Sequence, residues 1–163
     1  MRLPVFLLLS LTLFAAPSRV PRAELREAEN RFDTVIQKRW VDDQRVLLGT
    51  SRAFYVDGYG VIVTAEINLL TGPSVTPFSL PISPEMIAQH RAKKLERLAQ
   101  MKDLLASTAQ QAKSWFPELR DDEHIAVGVQ MYRYVWEDAT GLPRQLLSQT
   151  TKRNDARVQV QEN

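Results

Sequence analysis

Cysteine is absent from all 163 residues. No disulfide can staple the fold, no thiolate can ligate zinc, and no lipid can be attached to a cysteine behind a leader. Histidine is nearly as scarce, with only His90 and His124, too few for a histidine-rich zinc centre. Charge of one sign is lacking too: 21 lysines and arginines face 19 aspartates and glutamates, a formal +2, which gives no field suited to nucleic acid or an anionic membrane. None of the six glycines falls in a P-loop or a dinucleotide-binding Gly-x-Gly-x-x-Gly, and His-Glu-x-x-His and Gly-x-Ser-x-Gly are missing as well. The reading therefore assigns no metal, no cofactor and no nucleic-acid partner.

The longest apolar run stands at the start. Arg2 supplies a positive charge, Leu3 to Ala16 carries none, and the small residues Ala15, Ala16 and Ser18 follow. That order is the pattern of a secretory signal peptide, and the run is too short for a comfortable membrane span. Cleavage after Ser18 puts Ala16 at the minus-three position. The expected organisation is a signal peptide at 1–18, a single domain at 19–151 and a polar, frayed tail at 152–163. Export places the mature chain in the periplasm, taking a bacterial source, with no membrane span once the leader is removed.

What remains is patterned for an α+β domain. Residues 52–69, RAFYVDGYGVIVTAEINL, form a hairpin: two β-rich runs flank Asp57-Gly58-Tyr59-Gly60, and Gly58 and Gly60 are the turn glycines that can take positive φ. In the second run Val61, Val63, Ala65, Ile67 and Leu69 share one face, the period-two mark of a half-buried strand. The first run extends back to Val46 with a kink near Gly49. Upstream, Leu25, Ala28, Phe32, Val35 or Ile36 and Trp40 recur at helical spacing over Pro21 to Trp40. Downstream, Ser83 as N-cap, Pro84 in the first turn and Glu85 behind it open a helix that meets no proline or glycine before Pro117. Its methionines, Met86 and Met101, read as core filler.

The hairpin is similar in rhythm to the first hairpin of HtrA-type trypsin-like proteases. That resemblance is set aside: Glu66-Ile67-Asn68 follows Val63-Thr64-Ala65 where a catalytic histidine belongs, no nucleophile motif comes later, and the chain is too short for two barrels. In element order alone the chain resembles roadblock or longin-like domains, which implies no function.

Residues 124–137, HIAVGVQMYRYVWE, read as a second strong strand, with Ile125, Val127, Val129 and Met131 on the core face and Tyr132, Tyr134 and Trp136 opposite. A turn at 138–141 returns the chain along 142–151. The expected fold is thus two β-hairpins forming a four-stranded antiparallel sheet, covered by an N-terminal helix and a long central helix. Asp121, Asp122 and Glu123 are consecutive carboxylates without the alternating ligand spacing of an EF-hand.

Two functional readings follow. Amphipathic rings and planar guanidinium groups are the residues of binding surfaces, so Tyr132, Arg133, Tyr134, Trp136 and Arg144 are the candidate site of a non-enzymatic envelope protein that binds a protein partner or assembles with itself. The alternative is a small exported hydrolase using paired carboxylates, drawn from Glu66 and Glu137-Asp138.

Overall fold

The computed structural model describes residues 20–43, 46–73, 75–76, 81–153 and the backbone of 157–161. The expected signal peptide lies outside these residues. The elements run α1 (Arg22–Arg39), β1 (Arg52–Val56), β2 (Gly60–Ile67), α2 (Pro84–Ala112), β3 (His124–Met131), β4 (Gln145–Thr151) and β5 (Arg157–Gln161). The strands form one sheet in the order β1-β2-β3-β4-β5. The protein is α+β with two helices, and the hairpin β1–β2 forms as read, Phe54 opposite Ile62 and Val56 opposite Gly60.

The sheet is mixed, which corrects the purely antiparallel expectation. β2 and β3 run parallel, Val61 beside Ile125 and Val63 beside Val127, while the other neighbours are antiparallel. The reason is α2. Its 29 residues form one unbroken helix, about 43 Å long at 1.5 Å per residue, enough to carry the chain from one end of the sheet to the other. A single return crossing sets the next strand in the direction of the last. The strand count is also corrected: residues 157–161, expected within a frayed tail, pair with β4 as a fifth strand. A third correction concerns β3, which ends at Met131, so Tyr132 to Glu137 are not in the sheet.

Alternation decides which face is covered. Val61, Val63, Ile67, Ile125, Val127 and Val129 are buried on the face that receives Phe32 and Ile36 of α1 and Met101 and Leu105 of α2. Each such side chain contributes about 1.5–3 kcal/mol relative to exposure. The opposite face carries Phe54, Thr64, Glu66 and Gln130, which are exposed or half-buried. Gly58 and Gly60 both have positive φ, 76° and 128°; at Gly60 a Cβ would also sit 2.0 Å from the His124 carbonyl oxygen, so the tight approach of the turn to β3 requires glycine. The run from Val46 is interrupted after one bridge, Leu47 with Ile67. At the outer edge of β1, α1 supplies acceptors: Glu29 takes the Ala53 N–H at 2.8 Å and Asp33 the Ser51 N–H at 2.9 Å. Among the described residues no helix is long and apolar enough to cross a membrane.

Candidate binding site at the carboxyl ends of the parallel strands

In open sheets with parallel strands, ligands sit outside the carboxyl ends of those strands. Here the two ends are Ile67 and Met131, and the segments that leave them, 68–73 and 132–144, meet over the first half of α2. The Tyr132 N–H donates to the Ile67 carbonyl at 2.7 Å, the last parallel-style contact before the chain turns away.

The turn is closed on itself and on the helix. The Glu137 N–H donates to the Tyr134 carbonyl, and the Glu137 carboxylate accepts from the Tyr134 N–H, both at 3.2 Å. Lys94 of α2 then donates to both Glu137 oxygens at 2.7 Å and to the Tyr132 carbonyl at 3.1 Å. Side-chain exposure is 3% for Lys94 and 1% for Glu137, so this ion pair is removed from water and satisfied by hydrogen bonds rather than by solvent. Its neighbours on α2 repeat the device. Arg97 bridges Asp43 (2.8 Å) and the Leu69 carbonyl (2.6 Å), and Arg91 donates to the Thr140 carbonyl (2.8 Å). Asp138, 3.5 Å from Arg91, accepts hydrogen bonds from Thr140 that hold its carboxyl below the usual range, with a smaller contribution from Arg91.

On this base stands a row of rings. Tyr132 meets Tyr134 edge to face at 5.2 Å between centroids, Tyr134 stacks on Trp136 at 5.0 Å, and His90 packs edge-on against both Tyr134 and Trp136. The Tyr134 hydroxyl accepts from Asn68 Nδ2 (2.8 Å) and the Gly72 N–H (3.0 Å), tying the β2 end to the β3 end. Gly72 is required by contact: a Cβ there would lie 2.6 Å from Trp136 Cζ2 and 3.1 Å from His90 Cε1.

Beside the row opens a cleft of about 190 Å³ whose lining includes Leu70, Gly72, Ile82, Met86, Lys93 and Trp136. Among the described residues no carboxylate lines it. His90, 8% exposed, contributes a wall, and among the described residues its Nε2 has no hydrogen-bond partner, nor does Trp136 Nε1. The nearest Glu137 oxygen is 3.9 Å from His90 Nε2. Burial, with the Lys94 and Lys93 ammonium groups and against the pull of Glu137, holds the imidazole below the ordinary histidine range, so it stands neutral near pH 7. Buried polar atoms without partners are uncommon in native proteins and call for a cause. A larger depression, about 390 Å³, lies on the open face of the sheet among Arg52, Glu66, Gly128, Gln130 and Gln145. None of its described lining residues carries a buried unpartnered side-chain atom, and the smaller cleft is the better candidate on that ground.

Of the residues singled out from sequence, the structure brings Tyr132, Tyr134 and Trp136 together, though in a folded turn and not on a strand face. Arg133 is used in packing, its guanidinium donating to the Leu142 carbonyl. Arg144 is exposed and does not line the cleft. Of the carboxylates of the hydrolase reading, Glu66 lies on the open face of the sheet, while Glu137 is buried in its pair with Lys94 and Asp138 stands beside Arg91, both in the turn after β3. Sequence reasoning missed His90, Lys94, Asn68 and Gly72, and it placed Met86 in the core, whereas Met86 is 48% exposed at the cleft and, of the two methionines of α2, it is Met101 that is buried. One signal was available: His90 and Lys94 continue the helical spacing of Leu98, Met101 and Leu105, and a lysine on an apolar stripe demands a buried partner. No known protein family, characterised protein or solved structure matches this chain.

Proposed function

We propose that the protein is exported, is not an enzyme, and acts by binding a partner protein at the cleft between Trp136 and the first turns of α2. Export is supported by the pattern from Arg2 to Ser18. The observation that carries the binding reading is the preformed wall: Trp136 and His90 are held by Gly72, Tyr134 and the buried Lys94–Glu137 pair while their own ring nitrogens Nε1 and Nε2 have no partner among the described residues. Exposed apolar groups extend the surface beyond the cleft, with Met86 on its lining and Val135 next to Trp136. Aromatic anchors in a rigid pocket, ringed by weaker contacts, are the usual centre of a protein interface.

A photo-cross-linking residue at position 135, compared with one at position 56 at the far end of the sheet, tests this in the exported protein. A discrete adduct from 135 alone, abolished by Met86→Asp, is expected. Met86 is exposed in the first turn of α2, where the helix dipole tolerates an acid, so the variant keeps its melting temperature. Adducts that ignore Met86→Asp, or equal adducts from both positions, overturn the proposal.

A further inference from the structure

Resting on that reading, we infer that the cleft receives the C-terminal residue of a partner polypeptide, its apolar side chain against Trp136, Leu70, Ile82 and Met86 and its free carboxylate at Lys93 and Gln89. Size argues for a single residue. A volume of about 190 Å³ falls short of the roughly 300–1,000 Å³ of small-molecule sites and exceeds the roughly 150 Å³ that holds one benzene ring. It is the room of one branched or aromatic side chain with its terminal group.

Charge argues for a terminus. Lys93 is an exposed cation on the lining, the two ammonium groups of Lys93 and Lys94 both act on His90, and the nearby carboxylates Glu137 and Asp43 are already held by Lys94 and Arg97. A chain passing through would bring a neutral peptide unit to a positive rim; a chain that ends there brings an anion that the ammonium group can hydrogen-bond with charge assistance. The exposed Val135 beside the cleft and Val75, two residues beyond the lining Pro73, leave apolar surface for the residues that precede the last one. A free small acid would leave those side chains bare.

The test is a proton–nitrogen NMR titration of the exported protein with acetylated pentapeptides ending in leucine or phenylalanine, their C-terminal amides, and 3-phenylpropanoate. The free-acid peptides should move the Trp136 indole signal, and amidation should weaken binding by about tenfold, the effect expected of one lost charge-assisted hydrogen bond. Lys93→Gln, at an exposed position, should keep the fold and abolish the preference for the free acid. Equal binding of acid and amide, or a preference that survives Lys93→Gln, refutes the inference. Binding of 3-phenylpropanoate as tight as that of the peptides refutes it in favour of a free small acid, and silence from every free-acid peptide refutes it outright. Those results leave the cross-link from position 135 as the separate judge of whether a protein partner uses this face at all.

Discussion

Replacing Lys94 by methionine keeps the length of the side chain and removes its charge, leaving Glu137 as a carboxylate with 1% side-chain exposure and, among the described residues, only the Tyr134 N–H, at 3.2 Å, still donating to it. Three hydrogen bonds go with the ammonium group, two to Glu137 and one to the Tyr132 carbonyl. Breaking one side of such a buried pair costs about 3–5 kcal/mol. Glu137→Gln leaves the ammonium group buried without a counter-charge, though the amide oxygen and the Tyr132 carbonyl still accept from it, and falls toward the lower end of that range. The double variant, Lys94→Met with Glu137→Gln, has no orphaned charge and should be far more stable than the sum of the two losses implies, with a coupling of about 2 kcal/mol or more. Urea unfolding followed by tryptophan fluorescence measures all four corners of this cycle. Single-variant losses below about 1 kcal/mol, the level of an exposed pair, or strict additivity, would show that Lys94 and Glu137 do not lock the turn.

Two further tests address the wall of the cleft. Gly72→Ala must push the Trp136 ring away from a Cβ placed 2.6 Å from Cζ2, so it should cost about 1–3 kcal/mol as overpacking does and change the near-ultraviolet dichroism; an unchanged spectrum and melt would contradict the packing described. His90 sits among Lys93, Lys94, Glu137, Tyr134 and Trp136 with its folded-state pKa below the ordinary 6.5. The unfolded chain therefore takes up the proton first as pH falls, the stability due to the neutral imidazole is whole above 6.5, and it declines as pH drops through that value. Melting curves from pH 8 to 5 should fall more for the parent than for His90→Gln, and parallel curves would refute the assignment.

Local order was readable from the residues because it is written locally. The alternation of Val61, Val63, Ala65 and Ile67 and the stop signals around α2 need only neighbours in sequence to be seen. The parallel pairing of β2 and β3 was not, since it depends on how many times the chain crosses the sheet before β3 begins, and no local stretch of sequence carries that number. The row of Tyr132, Tyr134 and Trp136 was found for an incomplete reason: alternate residues share a side in this tight turn as they do in a strand, so the pattern imitated a longer β3. Its supports were invisible because they come from afar, Asn68 lying 66 residues from Tyr134 and Lys94 lying 43 from Glu137. Residues 157–161 offered only Val158 and Val160 as a short continuation, too weak an alternation to lift them out of a frayed tail.

The carboxylates of α1 at the rim of β1 have a consequence for assembly. Glu29 and Asp33 already occupy the Ala53 and Ser51 N–H groups, the same donors that an incoming strand would have to engage. A second chain cannot polymerise onto that side by strand addition unless α1 first swings off, which would uncover Phe32 and Ile36. The N-terminal helix thus acts as a plug against fibre growth, and conditions that detach it should be the ones in which this protein aggregates.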